Sequence, residues 1–265
     1  MKRTLQAIPL TLFLALAAGA QTAGDADPLA RLPAGLQVKD DSPRTYRFTC
    51  DYVHLDTKGN PAGMTQRVAG DYTRGLPDGK VRWNRVTVND QKREFMEGFT
   101  YRLADAVNTL KPEFFQSFPA MAFQERNLVW DTEMFEGFAE SYFEKLRLNV
   151  PYHIEPSTVP LAGTGQFENK DIQLTWIGIS KRNGQRCALI DYAAFFNKLS
   201  VKSPAMELVG RSHYWGQIWV SPTTKQIEYA TLYEDVLGEL KLGTQPTPQI
   251  MNVFRIGTFE RIAEK

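Results

Sequence analysis

The chain has 265 residues, 43% of them hydrophobic, with 31 basic side chains against 30 acidic ones. That balance excludes a general nucleic-acid binder, which needs a basic excess or stripe. No block of like charge offers an electrostatic membrane tether. The length is enough to bury about 70% of the unfolded surface in one domain.

Residues 1–20 read as a secretory signal peptide. Lys2 and Arg3 form the positive region, Ala7 to Ala17 is apolar apart from Thr11, and Ala18-Gly19-Ala20 meets the small-x-small rule. The cut falls before Gln21. The apolar run is short for a membrane span of about 20 residues, and no second candidate follows. No Cys follows it, so lipoprotein processing is not expected. Residues 21–265 therefore read as one soluble exported domain, periplasmic or secreted, with no transmembrane segment.

Gln21 to Asp40 contains Pro and Gly, and a short amphipathic turn around Leu29, Leu32 and Leu36. Then Tyr46, Phe48, Cys50, Tyr52 and His54 fall on one face of a strand, with Arg47, Thr49 and Asp51 on the other. This period of two marks a half-buried strand. The clusters TKGNPAG and GLPDGK are turns, so the first third reads as an antiparallel meander through VRWNRVTVN and KREFMEGFTYRL.

The pattern changes over about 104–150, a helical insert. Pro112 and Pro119 break a Phe-dense stretch into short helices or ordered loop. A helix is predicted from Asp131 or Thr132 onward, with Met134, Phe138, Tyr142 and Leu146 at intervals of four. Glu136, Glu140 and Glu144 share its solvated face. Strands resume at Gln166, and Asn183-Gly184 is a strong two-residue hairpin signal. The last strand is IMNVFRIGTFERI. Strands, helices, strands is the order of an α+β fold.

The segment HYWGQIWVSPTTKQIEYATLYEDV, His213 to Val236, is a hairpin with apolar groups on both faces. Pairing across Pro222 to Lys225 sets Val220 opposite Ile227, Ile218 opposite Tyr229 and Tyr214 opposite Tyr233. A sheet with one wet face would alternate more cleanly. A layer on each face, a sandwich, or a sheet curled around a cavity would each satisfy both sides, as would a plain thick core.

The stretch GQIWVSPTTKQIEYA, Gly216 to Ala230, fits G-x-[IV]-W-V-x-x-x-T-x-x-I-x-x-A. Together with the signal peptide, the long antiparallel sheet and the helical insert, it resembles the LolA/LolB-like envelope carriers. The resemblance implies a large curved, mainly antiparallel sheet, an incomplete β-barrel with the helical insert packed on or plugging it. It implies an apolar cavity that binds lipid, acyl chains or a lipidated protein. No family binding site is carried over. The aromatic and aliphatic candidates for the cavity wall are Trp215, Ile218, Trp219, Tyr229, Phe114, Phe115, Phe138 and Tyr142. Opposite faces of one hairpin cannot both line it. The alternative function is an envelope interaction module with a packed core and no ligand.

Little in the sequence points to covalent chemistry. His54, His153 and His213 show no zinc-site spacing, and His54 reads as a core residue. GRSHY lacks the second Gly of a nucleophile elbow, and Ser212 and His213 must point to opposite faces of a strand. No phosphate loop is present. Cys50 and Cys187 lack CxxC or metal spacing. Export permits a disulfide between them, and two separate buried thiols are the other reading. The expectation is a protein without catalysis, cofactor or metal.

Overall fold

The computed structural model describes residues 42–106, 112–161, 165–202, 206–243 and 247–262. The expected signal peptide, its cut before Gln21 and the turn around Leu29, Leu32 and Leu36 lie outside them, as does part of the helical insert. The strands are β1 (Arg44–His54), β2 (Gln66–Leu76), β3 (Lys80–Val88), β4 (Gln91–Lys92) and β5 (Thr100–Arg102). The helices α1 (Leu103–Ala106) and α2 (Phe123–Ser141) follow. Next come β6 (Tyr152–Ile154), β7 (Ser157–Leu161), β8 (Gly165–Asn169) and β9 (Ile172–Arg182). The long strands β10 (Gln185–Lys202), β11 (Met206–Val220), β12 (Ile227–Leu242) and β13 (Gln249–Arg261) complete the chain.

All 13 strands belong to one sheet, with the order β4-β3-β2-β1-β13-β12-β11-β10-β8-β7. β5 pairs with β3, β9 with β10, and β6 with β9. Every pairing is antiparallel. The sheet does not close. The fold is α+β, as the strand-helix-strand order implies, and the sheet is an incomplete barrel, as expected from the resemblance.

The sheet is strongly curved. Phe135 of α2 packs against Phe48 of β1 at 5.9 Å, Phe259 of β13 at 5.8 Å and Tyr192 of β10 at 6.1 Å, centroid to centroid. β1 and β10 are four strand spacings apart, which is about 19 Å across a flat sheet. One ring can touch both only if the sheet curls around the helix. Gly70 of β2 marks a close approach of helix and sheet: a Cβ there would stand 2.6 Å from the Trp83 ring and 2.8 Å from Leu128 of α2.

β1 shows how the alternation works. Tyr46, Phe48 and Cys50 are buried on the inner face. On the outer face Arg47 donates to Asp71 and Arg67 to Asp51, each bidentate. The Asn183-Gly184 turn has both residues at positive φ and joins β9 to β10 with Arg182 opposite Gln185, the two-residue hairpin that the sequence signals.

α2 begins at Phe123, eight residues before the expected start, and ends at Ser141. Asp131 and Thr132 are therefore interior, not caps. The Thr132 hydroxyl donates to the Leu128 carbonyl. The helix lies within the curve of the sheet, so most of its circumference is buried and the usual polar face is missing. Glu136 corrects the solvated-face reading: it is 1% exposed and paired with Arg74 at 2.6 Å. Glu140 and Glu144 are exposed.

The hairpin of β11 and β12 follows the expected register only at its tip. Val220 faces Ile227, but a bulge then shifts the pairing. Trp219 faces Tyr229, Ile218 faces Ala230 and Trp215 faces Tyr233. Ile218, Ala230 and Leu232 point inward to the core. Trp215, Trp219, Tyr229 and Tyr233 are half-buried on the outer face. There Trp215 stacks on Tyr233 at 6.0 Å and Trp219 meets Tyr229 edge-on at 5.3 Å. Both faces are apolar because one packs α2 and the other carries an aromatic stripe.

Candidate functional site

Two cavities lie between α2 and its surroundings. The first, about 150 Å³, is bounded by Met134, Phe138 and Tyr142 on the helix side, Ile154, Val159 and Pro160 of β6 and β7, and Tyr214 and Leu232 of the sheet. The second, about 220 Å³, is bounded by Phe123 and Asn127 of α2, Leu161 and Phe167 of β7 and β8, and Leu199, Leu208, Val236 and Val253 of the sheet. Trp130 and Glu234 border both. The half-buried residues of α2 are Phe123, Gln124, Asn127, Trp130 and Met134. Their spacing of three and four places them on one stripe, so the cavities follow one face of the helix.

Charge is buried beside this apolar lining. Arg255 of β13 reaches into the curve, where its guanidinium donates to both Asp131 of α2 and Glu234 of β12. The Ser212 hydroxyl donates to Glu234 at 2.5 Å. Arg255, Asp131 and Glu234 are each less than 7% exposed. Arg255 also covers the Tyr52 ring at 4.9 Å. Burial raises Asp131 to about 6, with the Glu234 charge adding to it and Arg255 opposing it. Elsewhere on α2, Glu133 accepts from the Tyr101 hydroxyl at 2.6 Å, and burial holds its carboxyl well above the usual range. Glu125 pairs with Arg93 at 2.9 Å.

The cavity candidates separate into four places. Phe138 and Tyr142 line the first cavity. Ile218 is a fully buried core residue that borders neither cavity. Phe114 and Phe115 join Phe99, Tyr101 and Phe118 in an aromatic cluster beside β5, with the Arg126 guanidinium 5.3 Å from the Phe115 ring. Trp215, Trp219 and Tyr229 lie on the outer face, where Arg182 stands 3.6 Å over the Tyr229 ring. Trp130, Met134 and the Arg255 cluster escaped sequence reasoning. The spacing Phe123, Asn127, Trp130, Met134, Phe138 was the available signal.

Cys50 and Cys187 are free and buried. Burial pushes Cys50 up to about 12 and Cys187 up to about 11. His54 is exposed at the rim of the second cavity and is not a core residue. His153 meets the Asp171 carboxylate at 2.7 Å. His213 packs on Phe195 and Phe196 outside, while Ser212 points inward. The two form no dyad. Among the described residues, no group of three or more His, Cys, Asp or Glu is placed to hold a metal ion, and no helix is long and apolar enough to cross a membrane. A scan against protein-family models and a search of curated proteins both find no match for this chain.

Proposed function

We propose that this is an exported carrier that holds an apolar chain of a lipid or lipidated partner between α2 and the curved sheet, without covalent chemistry. The reading takes up the resemblance to the LolA/LolB-like carriers. The observation that carries it is the pair of apolar cavities on one face of α2, walled by β6 to β8 and floored by the sheet. Affinity would come from burying methylene groups, about 0.8 kcal/mol each. Several polar lining groups are engaged with one another, Asp131 and Glu234 with Arg255, Asn169 with Tyr214 and Gln124 with Gln66, which leaves the apolar surface to the guest.

The test is native mass spectrometry of the exported protein, followed by solvent extraction and lipid analysis. Met251 lines the second cavity, and Ile256 is 40% exposed on the outer face. A co-purified acyl ligand that Met251→Glu loses and Ile256→Glu keeps supports the carrier. An apo mass unchanged after incubation with lipid vesicles overturns it.

The second reading is an interaction module, favoured by the outer aromatic stripe. Phe195 and Phe196 project from a bulge in β10 with 45% and 72% exposure, beside Trp215, Tyr233 and Phe254. In that case the Met251→Glu protein loses nothing, and Ile256→Glu weakens a protein contact.

A further inference from the structure

The two cavities meet at Trp130 and Glu234. Trp130 borders both, is itself half-buried, and packs edge-on against Phe167 at 5.2 Å. From Phe123, at the end of the second cavity, to Phe138, in the first, α2 rises about 22 Å at about 1.5 Å per residue. Neither cavity alone reaches the roughly 300 Å³ at the lower end of ligand sites; the two joined do. At the same waist sits the buried cluster of Asp131, Glu234 and Arg255, two carboxylates against one guanidinium. Asp131 and Glu234 line the first cavity, Glu234 and Arg255 the second. Both terminal nitrogens of Arg255 donate to its two carboxylate partners, while its buried Nε has no hydrogen-bond partner.

We infer that the two cavities are halves of one groove for a single long chain, divided by the Trp130 side chain, and that the ligand it takes is uncharged along the buried length. This inference rests on the carrier reading and names its ligand class. A swing of Trp130 away from Phe167 opens the partition without moving the helix backbone. A ligand carboxylate drawn to the waist meets two carboxylates against one guanidinium in a dry site, where like charges repel strongly. An ester, an alcohol or a hydrocarbon tail meets no such penalty. Chain length is then read by Trp130 and head-group charge by the cluster.

Native mass spectrometry at pH 8, with ligands delivered from cyclodextrin, tests both parts. Methyl myristate, myristate and methyl hexanoate are titrated separately into the full-length mature protein. The expected result on the unaltered protein is methyl myristate bound at least about tenfold more tightly than myristate. Trp130→Ala is expected to tighten methyl myristate several-fold and leave methyl hexanoate unchanged. Trp130→Phe, which keeps a ring against Phe167, is expected to fall between them. Equal binding of ester and acid overturns the charge selection, and a Trp130→Ala effect equal for both esters overturns the partition. Those outcomes leave the carrier reading standing. Binding of none of the three ligands removes that reading and this inference together. The ester-to-acid comparison needs no variant, so poor folding of Trp130→Ala cannot rescue the charge selection.

Discussion

Replacing Arg255 with Met strands two carboxylates inside the protein. Asp131 and Glu234 are 3% and 6% exposed, and the Arg255 guanidinium is hydrogen-bonded to both. Removing one partner of a buried ion pair costs about 3–5 kcal/mol, mostly from the charge left behind. Arg255→Met should therefore lower the stability at pH 7 by about that amount, read as a lower urea midpoint at unchanged m-value. Neutralising the stranded acids with Asp131→Asn and Glu234→Gln in the same chain should return much of the loss, because no buried charge then remains. The pH dependence has a definite sign. Without Arg255 the carboxylates of the folded protein hold their protons more tightly than those of the unfolded chain. The deficit is then greatest at neutral pH and shrinks as pH falls and the acids protonate. A loss below about 1 kcal/mol, or no recovery in the triple variant, would show that the cluster is not an electrostatic unit.

Asp131 itself gives a second pH signature. Its folded value is raised to about 6 from 3.8, so its contribution favours the fold below about pH 4 and is lost as pH rises through about 6. The stability difference between the unaltered protein and Asp131→Asn should shift across that window by up to about 3 kcal/mol; urea titrations at several pH values with a constant difference would contradict this. Gly70→Ala places a methyl against Trp83 and Leu128 and should cost about 1–3 kcal/mol in thermal or urea unfolding. Phe196 has φ +60 and is exposed. Asn tolerates that backbone conformation better, so Phe196→Asn should stabilise by about 1 kcal/mol, and destabilisation would mean that the ring's outer contacts outweigh the strain. Cys50 and Cys187 should react with a thiol reagent at pH 8 only slowly in the folded protein and at once in urea; rapid labelling of both without denaturant would refute their burial.

Local rules carried the sequence reading where one face alternates with the other or a turn has its own chemistry. β1 and the Asn183-Gly184 hairpin are such cases. The reading failed where tertiary context overrides local pattern. The hairpin register slips after Val220 because Gln226, Ile227 and Glu228 are all buried in succession, a break in alternation that marks a bulge. Asp131 looks like a helix cap because short acids favour that position, yet it lies mid-helix and pairs with Arg255. Glu136 looks solvated because glutamate seldom enters a core unpaired, and its partner Arg74 is 62 residues away. The cavities depend on where α2 and the β7–β8 hairpin meet, which no local spacing encodes. Among the candidate residues, Phe138 and Tyr142 line the first cavity beside α2, whereas Trp215, with Tyr233 and Phe195, borders an open pocket on the outer face.

An open sheet has borders, and unpaired strand borders invite other chains to stack on them. Along the main path those borders are β4 and β7. β4 is two exposed residues, Gln91 and Lys92, and burying Lys92 would strip water from an ammonium group. β7 contains Pro160, which has no N–H to offer an incoming strand. The two end strands of the main path thus make poor templates. A concentrated solution should resist β-type fibre formation, even though the barrel stays unclosed.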